Sequence, residues 1–163
     1  FQSINFNFKD INGKFVSLND VQFKNKVVVV QILGTWCPNC LDETQFFLSY
    51  LEEHPNEDLA FVGLSVEAAK TEEKAMKRIK NMIDKFNIPY PILLAQYGGT
   101  DKEKFLKKIP MLENIISYPT TIIIDKSGLV NSIHTGFNGP ATGQAYLDYK
   151  ENFKTEIKGL LEL

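Results

Sequence analysis

The chain has 163 residues, 44% of them hydrophobic and 23% charged, with a net charge of −2; this is enough for one domain over residues 1–163 with a substantial core, in the proportions of an ordinary globular protein. The near-neutral balance gives no basis for a nucleic-acid or anionic-membrane partner, and the longest apolar run, Val27–Leu33, is strand-sized and too short to span a bilayer. There are only two cysteines, three positions apart, so no thiol is left over for a structural disulfide or a four-cysteine metal site.

In chain order, Ile4-Asn5-Phe6-Asn7-Phe8 alternates apolar and polar residues as a half-buried strand does. Asn12-Gly13 is a hairpin signal, with Phe15-Val16-Ser17-Leu18 as the returning strand. Val27–Leu33 is β-branched and nearly continuously apolar, which suits a central strand buried on both faces. Gly34-Thr35 and the cysteine motif follow, then Leu41, Phe47, Leu48 and Leu51 at helical spacing until His54-Pro55. Leu59–Val66 is the next buried strand. Residues 71–86 carry Met76, Ile79, Met82, Ile83 and Phe86 on one face, the clearest amphipathic helix in the chain.

Residues 91–95 form a short strand, and Thr100 with Glu103 has capping-box spacing for a short helix. Met111, Leu112, Ile115 and Ile116 also stand at helical spacing, either lining a partner groove near the active-site rim or packing into the core. Residues 120–125 are a β-branched strand that turns at Lys126-Ser127-Gly128 into residues 129–135. Tyr146, Tyr149, Phe153, Ile157 and Leu160 trace a C-terminal helix. Strands alternating with helices, opened by a hairpin and closed by a helix, predict an α/β fold: a mixed central sheet covered on both faces.

Trp36-Cys37-Pro38-Asn39-Cys40 carries the chemistry. Disulfide exchange needs one thiol that is largely thiolate and accessible, and a second close enough to release the mixed disulfide. A strand, a short turn and then Cys37 at a helix N-terminus supply the first, because free N–H groups and the helix dipole favour an anion there. Pro38 falls at the first helical position, where its missing N–H costs nothing. Cys40 lies one turn on, on the same face and within disulfide reach. Cys37 is therefore the expected exposed nucleophile, with a pKa of about 3.5 to 7.5, and Cys40 the buried resolving thiol. A metal site has only His54 and His134 as further nitrogens, and neither has ligand spacing to the cysteines. No metal and no cofactor are expected.

Gly34-Thr35-Trp36-Cys37-Pro38-Asn39-Cys40 with Leu41-Asp42-Glu43 resembles the TlpA/ResA-like thiol–disulfide oxidoreductases of the thioredoxin superfamily, related to the AhpC/TSA and redoxin families. Asp10-Ile11-Asn12-Gly13-Lys14 with Val16-Ser17-Leu18 is similar to their N-terminal hairpin, and Tyr118-Pro119-Thr120-Thr121 to their cis-proline segment. The resemblance implies a thioredoxin-like fold with an N-terminal β-hairpin and an inserted segment before the cis-proline strand. It also implies a cis Pro119 beside the disulfide, substrate contact by Trp36, Pro38, Tyr118 and Pro119, and a role for Glu43 in tuning the cysteines or moving a proton to Cys40. A solvated Glu43 favourable to the helix dipole is the alternative.

The function so implied is an extracytoplasmic (periplasmic or membrane-anchored) reductase of protein disulfides, recharged by a membrane-bound thiol donor. The chain is then expected to be a monomeric C-terminal part of a longer exported precursor, with a membrane anchor upstream of Phe1. Departures leave the direction open: Gln31 replaces the buried aspartate of thioredoxins, Leu33 an aromatic residue, and Pro38-Asn39 their Gly-Pro. The alternatives are an oxidase or isomerase, or a copper- or zinc-holding thiol module. The threonine and cysteine that follow a proline in peroxiredoxins have no counterpart before Cys37.

Overall fold

The computed structural model describes residues 3–112 and 117–163. In chain order the regular elements are β1 (Asn7–Lys9), β2 (Phe15–Ser17), β3 (Val27–Leu33), α1 (Pro38–Glu53), β4 (Leu59–Val66), α2 (Glu72–Phe86), β5 (Ile92–Gln96), α3 (Lys102–Leu106), β6 (Thr120–Ile124), β7 (Val130–Thr135) and α4 (Gln144–Leu161). Single 3₁₀ turns stand at Val21–Phe23, Pro110–Leu112 and Pro140–Thr142.

The strands form one seven-stranded mixed sheet in the order β2-β1-β5-β4-β3-β6-β7. β3, β4 and β5 run parallel, which forces the crossovers through α1 and α2; β6 and β7 close one side antiparallel, and the β1–β2 hairpin closes the other. This is the mixed, helix-flanked α/β sheet expected from the strand pattern.

The central strand β3 is buried along its whole length, and its period of two divides the core. Val27, Val29 and Leu33 face a layer built by α1, α2 and α4, where Phe46, Phe47, Ile79, Phe153 and Ile157 meet. Val28, Val30 and Ile32 face the opposite layer, with Phe6, Phe23, Phe105, Ile109 and Leu112. Gln31 is the exception in this strand: its place in the alternation turns an amide toward α1.

Two sequence expectations shift. The strand expected over residues 4–8 pairs only from Asn7, because Ile4 and Phe6 are spent as apolar plugs under the second layer. The short helix after Thr100 is capped instead by Asp101, whose carboxylate accepts from the N–H groups of Glu103 and Lys104. A carboxylate reaches two donors where the threonine hydroxyl one residue earlier reaches none of them. Beyond it, Met111 and Leu112 sit in a 3₁₀ turn, Leu112 in the core; Ile115 and Ile116 lie outside the described residues.

Candidate active site

Cys37 is the N-cap of α1, and Pro38 takes the first helical position. The Sγ of Cys37 accepts the backbone N–H of Cys40 at 3.2 Å, as a capping side chain does. The two cysteines are joined as a disulfide, with Cα atoms 5.3 Å apart. Cys40 has no accessible surface and Cys37 keeps 5%. Both cysteines are thus buried in the disulfide, and Cys37 does not show the open surface expected of it from the sequence. In the disulfide its sulfur lies at the helix end, 3.6 Å from the carbonyl oxygen of Tyr118.

That carbonyl belongs to the residue before Pro119, and the Tyr118-Pro119 bond is cis. The segment is pinned from both sides: Ser117 N–H donates to Thr120 Oγ1, the same hydroxyl donates to Ser117 O, and Gly136 N–H donates to Pro119 O at 2.7 Å. Trp36, 41% exposed, meets the Tyr118 ring edge-on at 5.2 Å. Burial, and then the charge of Asp101, pushes the Tyr118 hydroxyl up to about 12, so it stays protonated and donates to Thr100 O. Trp36, Pro38, Tyr118 and Pro119 thus gather around the disulfide. Asn39 ties the motif to the loop after β7 by donating to Phe137 O at 2.8 Å.

Glu43 lies one turn past Cys40 on α1 and is fully buried, so the solvated alternative for it does not hold. Its Oε1 accepts from Gln31 Nε2 at 3.0 Å and Thr121 Oγ1 at 2.7 Å, and its Oε2 from Tyr149 OH at 2.7 Å. Gln31 also donates to the carbonyl of Cys40 at 3.2 Å, which joins the carboxyl to the backbone of Cys40. Register explains the gathering. Gln31 of β3 pairs with Thr121 of β6, and Thr121 with His134 of β7, so the three side chains form a cross-strand row on the face that α1 and α4 cover. Burial pushes the Glu43 carboxyl above its ordinary range, while the three hydrogen bonds and the charge of His134 pull it back. The result is a carboxyl group that keeps its proton to higher pH than an ordinary solvated glutamate does.

Three participants were not singled out as site residues from the sequence. Glu67, directly after β4, is fully buried and accepts from Thr35 N–H at 2.9 Å, from the Thr35 hydroxyl, and from Ser65 Oγ. It anchors the loop that leads into Cys37; the available signal was a charged residue closing an otherwise apolar strand. Gln31 was noted only as a departure from thioredoxins, and Tyr149 only as a core aromatic, although a buried tyrosine hydroxyl demands a partner. His54 caps the end of α1 against the Tyr50 ring, and His134 pairs with Glu156. Among the described residues no three His, Cys, Asp or Glu side chains converge as a metal-ligand set.

Residues 2–133 match the model of the AhpC/TSA family. The chain is 30% identical over 135 residues to the thioredoxin-like protein YneN of Bacillus subtilis, covering 83% of this chain and 70% of that protein. It is 25% identical over 126 residues to the thiol-disulfide oxidoreductase ResA of Bacillus thuringiensis, where it spans 77% of its own length and 63% of the relative's. Among solved structures, the thioredoxin-family thiol:disulfide interchange protein of Chlorobium tepidum superposes with a TM-score of 0.69 at 22% identity, covering 98% of this chain and 94% of that one; this likeness is one of fold.

Proposed function

The chain is a TlpA/ResA-like member of the thioredoxin superfamily and belongs to the AhpC/TSA family, and from that premise we propose that it is an extracytoplasmic thiol–disulfide oxidoreductase acting as a reductase of protein disulfides. The observation that carries the reading is the seat of Cys37 at the N-cap of α1, with Cys40 behind it and the buried Glu43 one turn further in. In the reduced protein the Cys37 thiolate keeps the Cys40 N–H and the helix dipole as its stabilising partners.

The thiolate attacks one sulfur of a substrate disulfide, forming a mixed disulfide and expelling the other sulfur as a thiolate. Cys40 then gives its proton to Glu43 and attacks the Cys37 sulfur, which closes the Cys37–Cys40 bond and releases the second substrate thiolate. Two electrons have passed to the substrate, whose sulfurs take up two protons. Tyr118 O, beside Cys37, offers the substrate backbone an acceptor, and Trp36 offers an exposed apolar face. A dithiol donor at the membrane returns the electrons. The resemblance to TlpA/ResA-like proteins supports the location and the direction.

The expected reduction potential is about −270 mV or lower; a value near −120 mV makes the protein an oxidant and overturns the direction. Cys40→Ser should accumulate a mixed disulfide through Cys37 in the native compartment, and Cys37→Ser should not. An alkylatable Cys37 that captures no partner sinks the exchange reading.

A further inference from the structure

Glu43 is fully buried and, on the reading above, must take up and give back one proton per turnover. Of its three hydrogen-bond donors, Gln31 and Thr121 are themselves buried in the sheet and lead nowhere but to Glu43, the Cys40 carbonyl and Thr44. Tyr149 is different. Its hydroxyl reaches Glu43 Oε2 at 2.7 Å, while the residue is only partly buried and lines a surface pocket of about 320 Å³ between β7 and α4. His134, the third member of the cross-strand row, opens into the same pocket beside Asp148.

We propose that Tyr149 is a positioning residue of the exchange reaction: its hydroxyl holds the Glu43 carboxylate in place and is the group through which Glu43 exchanges its proton with this pocket. The inference rests on the exchange role given to Glu43. In one direction, the Tyr149 hydroxyl passes its proton to the Glu43 carboxylate as its oxygen takes one from a hydronium ion or buffer acid of the solvent in the pocket, which is left as water or the conjugate base. In the other, the Glu43 carboxylic acid gives its proton to the Tyr149 oxygen as that oxygen releases its own to water in the pocket, so tyrosine ends neutral both times. The ring is fixed for this by edge-on contacts with Phe46 at 5.5 Å and Phe137 at 4.8 Å.

The surrounding charges agree with the assignment. From β7, His134 lowers the Glu43 carboxyl; its own partner Glu156, on α4, holds His134 up by a hydrogen bond. Burial, then the charge and hydrogen bond of Glu43, and then Glu156 and Tyr146, push the Tyr149 hydroxyl far up, so it remains a donor at all working pH. Tyr90, which also feels the Glu43 charge, is likewise kept protonated by burial.

The test reads Glu43 directly, independent of exchange activity, by ¹³C NMR of the labelled side-chain carboxyl through a pH titration of the oxidised protein. In the wild type one averaged line moves through the transition. In Tyr149→Phe, which keeps the ring packing, the midpoint should rise by about one pH unit, a tenfold change in ionisation, and the line should split into separate protonated and ionised signals as proton exchange slows. Replacing Tyr149 by 3-fluorotyrosine, a stronger donor of the same shape, should lower the midpoint and keep the averaged line. An unchanged midpoint, or an averaged line retained in Tyr149→Phe, overturns the proposal. Failure of Cys40→Ser to trap a partner bears on the exchange reading alone and leaves this titration standing.

Discussion

Gly34 lacks a side chain because Trp36 fills the space one would take: a Cβ there would lie 2.2 Å from the indole nitrogen. That nitrogen donates to Val66 O at 2.9 Å, so the indole is folded back over the turn that delivers Cys37. Gly34→Ala should displace the ring and destabilise the protein by about 1–3 kcal/mol. Trp36 is the only tryptophan in the chain, so its emission reports the displacement without interference; an unchanged spectrum and an unchanged urea midpoint would contradict this account. Glu67 supports the same turn from below. Glu67→Ala strips Thr35 N–H of its acceptor inside the protein and should cost about 1–3 kcal/mol, with slower alkylation of reduced Cys37 as the loop loosens. Neither role was read from the sequence, where Gly34 is only part of a short turn and Glu67 only a charge that closes an apolar strand. Both depend on what folds back over them.

Among the elements, α2 was the most legible and α3 the least. The α2 pattern runs four turns with its apolar residues on one face. Thr71 caps it by accepting from Lys74 N–H, and Asn87 ends it in the left-handed region at φ 53°. Thr71→Ala should cost about 1 kcal/mol in urea unfolding, and Asn87→Gly should leave stability unchanged or slightly higher, since glycine takes that conformation without strain; a loss as large as that of the Thr71 variant would mean the asparagine side chain holds the turn. The α3 segment has only five helical residues, too few for a periodic signal, and its start is set by which side chain reaches the free N–H groups. At the sheet, the continuous apolar run of β3 identified the central strand but hid the meaning of Gln31. One polar residue in such a run is informative only once register shows that Thr121 stands beside it and His134 beside Thr121.

For the whole molecule, Glu43 and His134 both lose their stabilisation as pH rises, while Glu156, the partner of His134 on α4, loses its own as pH falls. Glu43 binds its proton more tightly folded than unfolded. Its contribution is therefore best at acid pH and declines as pH rises from the unfolded value, about 4.3, through the raised folded one. Glu43→Gln should remove that decline from the urea midpoint measured between pH 4 and 8, about the span of these titrations; a variant that keeps the wild-type slope would place the effect elsewhere. His134 is raised chiefly by the Glu156 hydrogen bond, so it stabilises fully below its unfolded value of about 6.5 and is lost as pH rises through the folded one. Burial alone would raise Glu156, but hydrogen bonds from His134, Ser132 and Asn131 outweigh it, so its stabilisation is present above about 4.3 and is lost as pH falls through the lowered folded value. His134→Gln should flatten the alkaline side of this window by a few tenths of a kcal/mol, a small effect because the histidine is partly exposed to solvent.

The sequence by itself determined the hairpin, the central strand, the helix that opens at Cys37-Pro38 and the place of Cys40 one turn behind Cys37, because each is written in neighbouring residues through turn chemistry, periodicity or capping. Only the tertiary structure decided what surrounds the cysteines. Glu43 takes its partners from 12, 78 and 106 positions away, and whether it is solvated or buried depends on the register of β3, β6 and β7 and on the docking of α4. Burial, and with it the behaviour of an ionisable group, is a property of packed layers. No local pattern carries it.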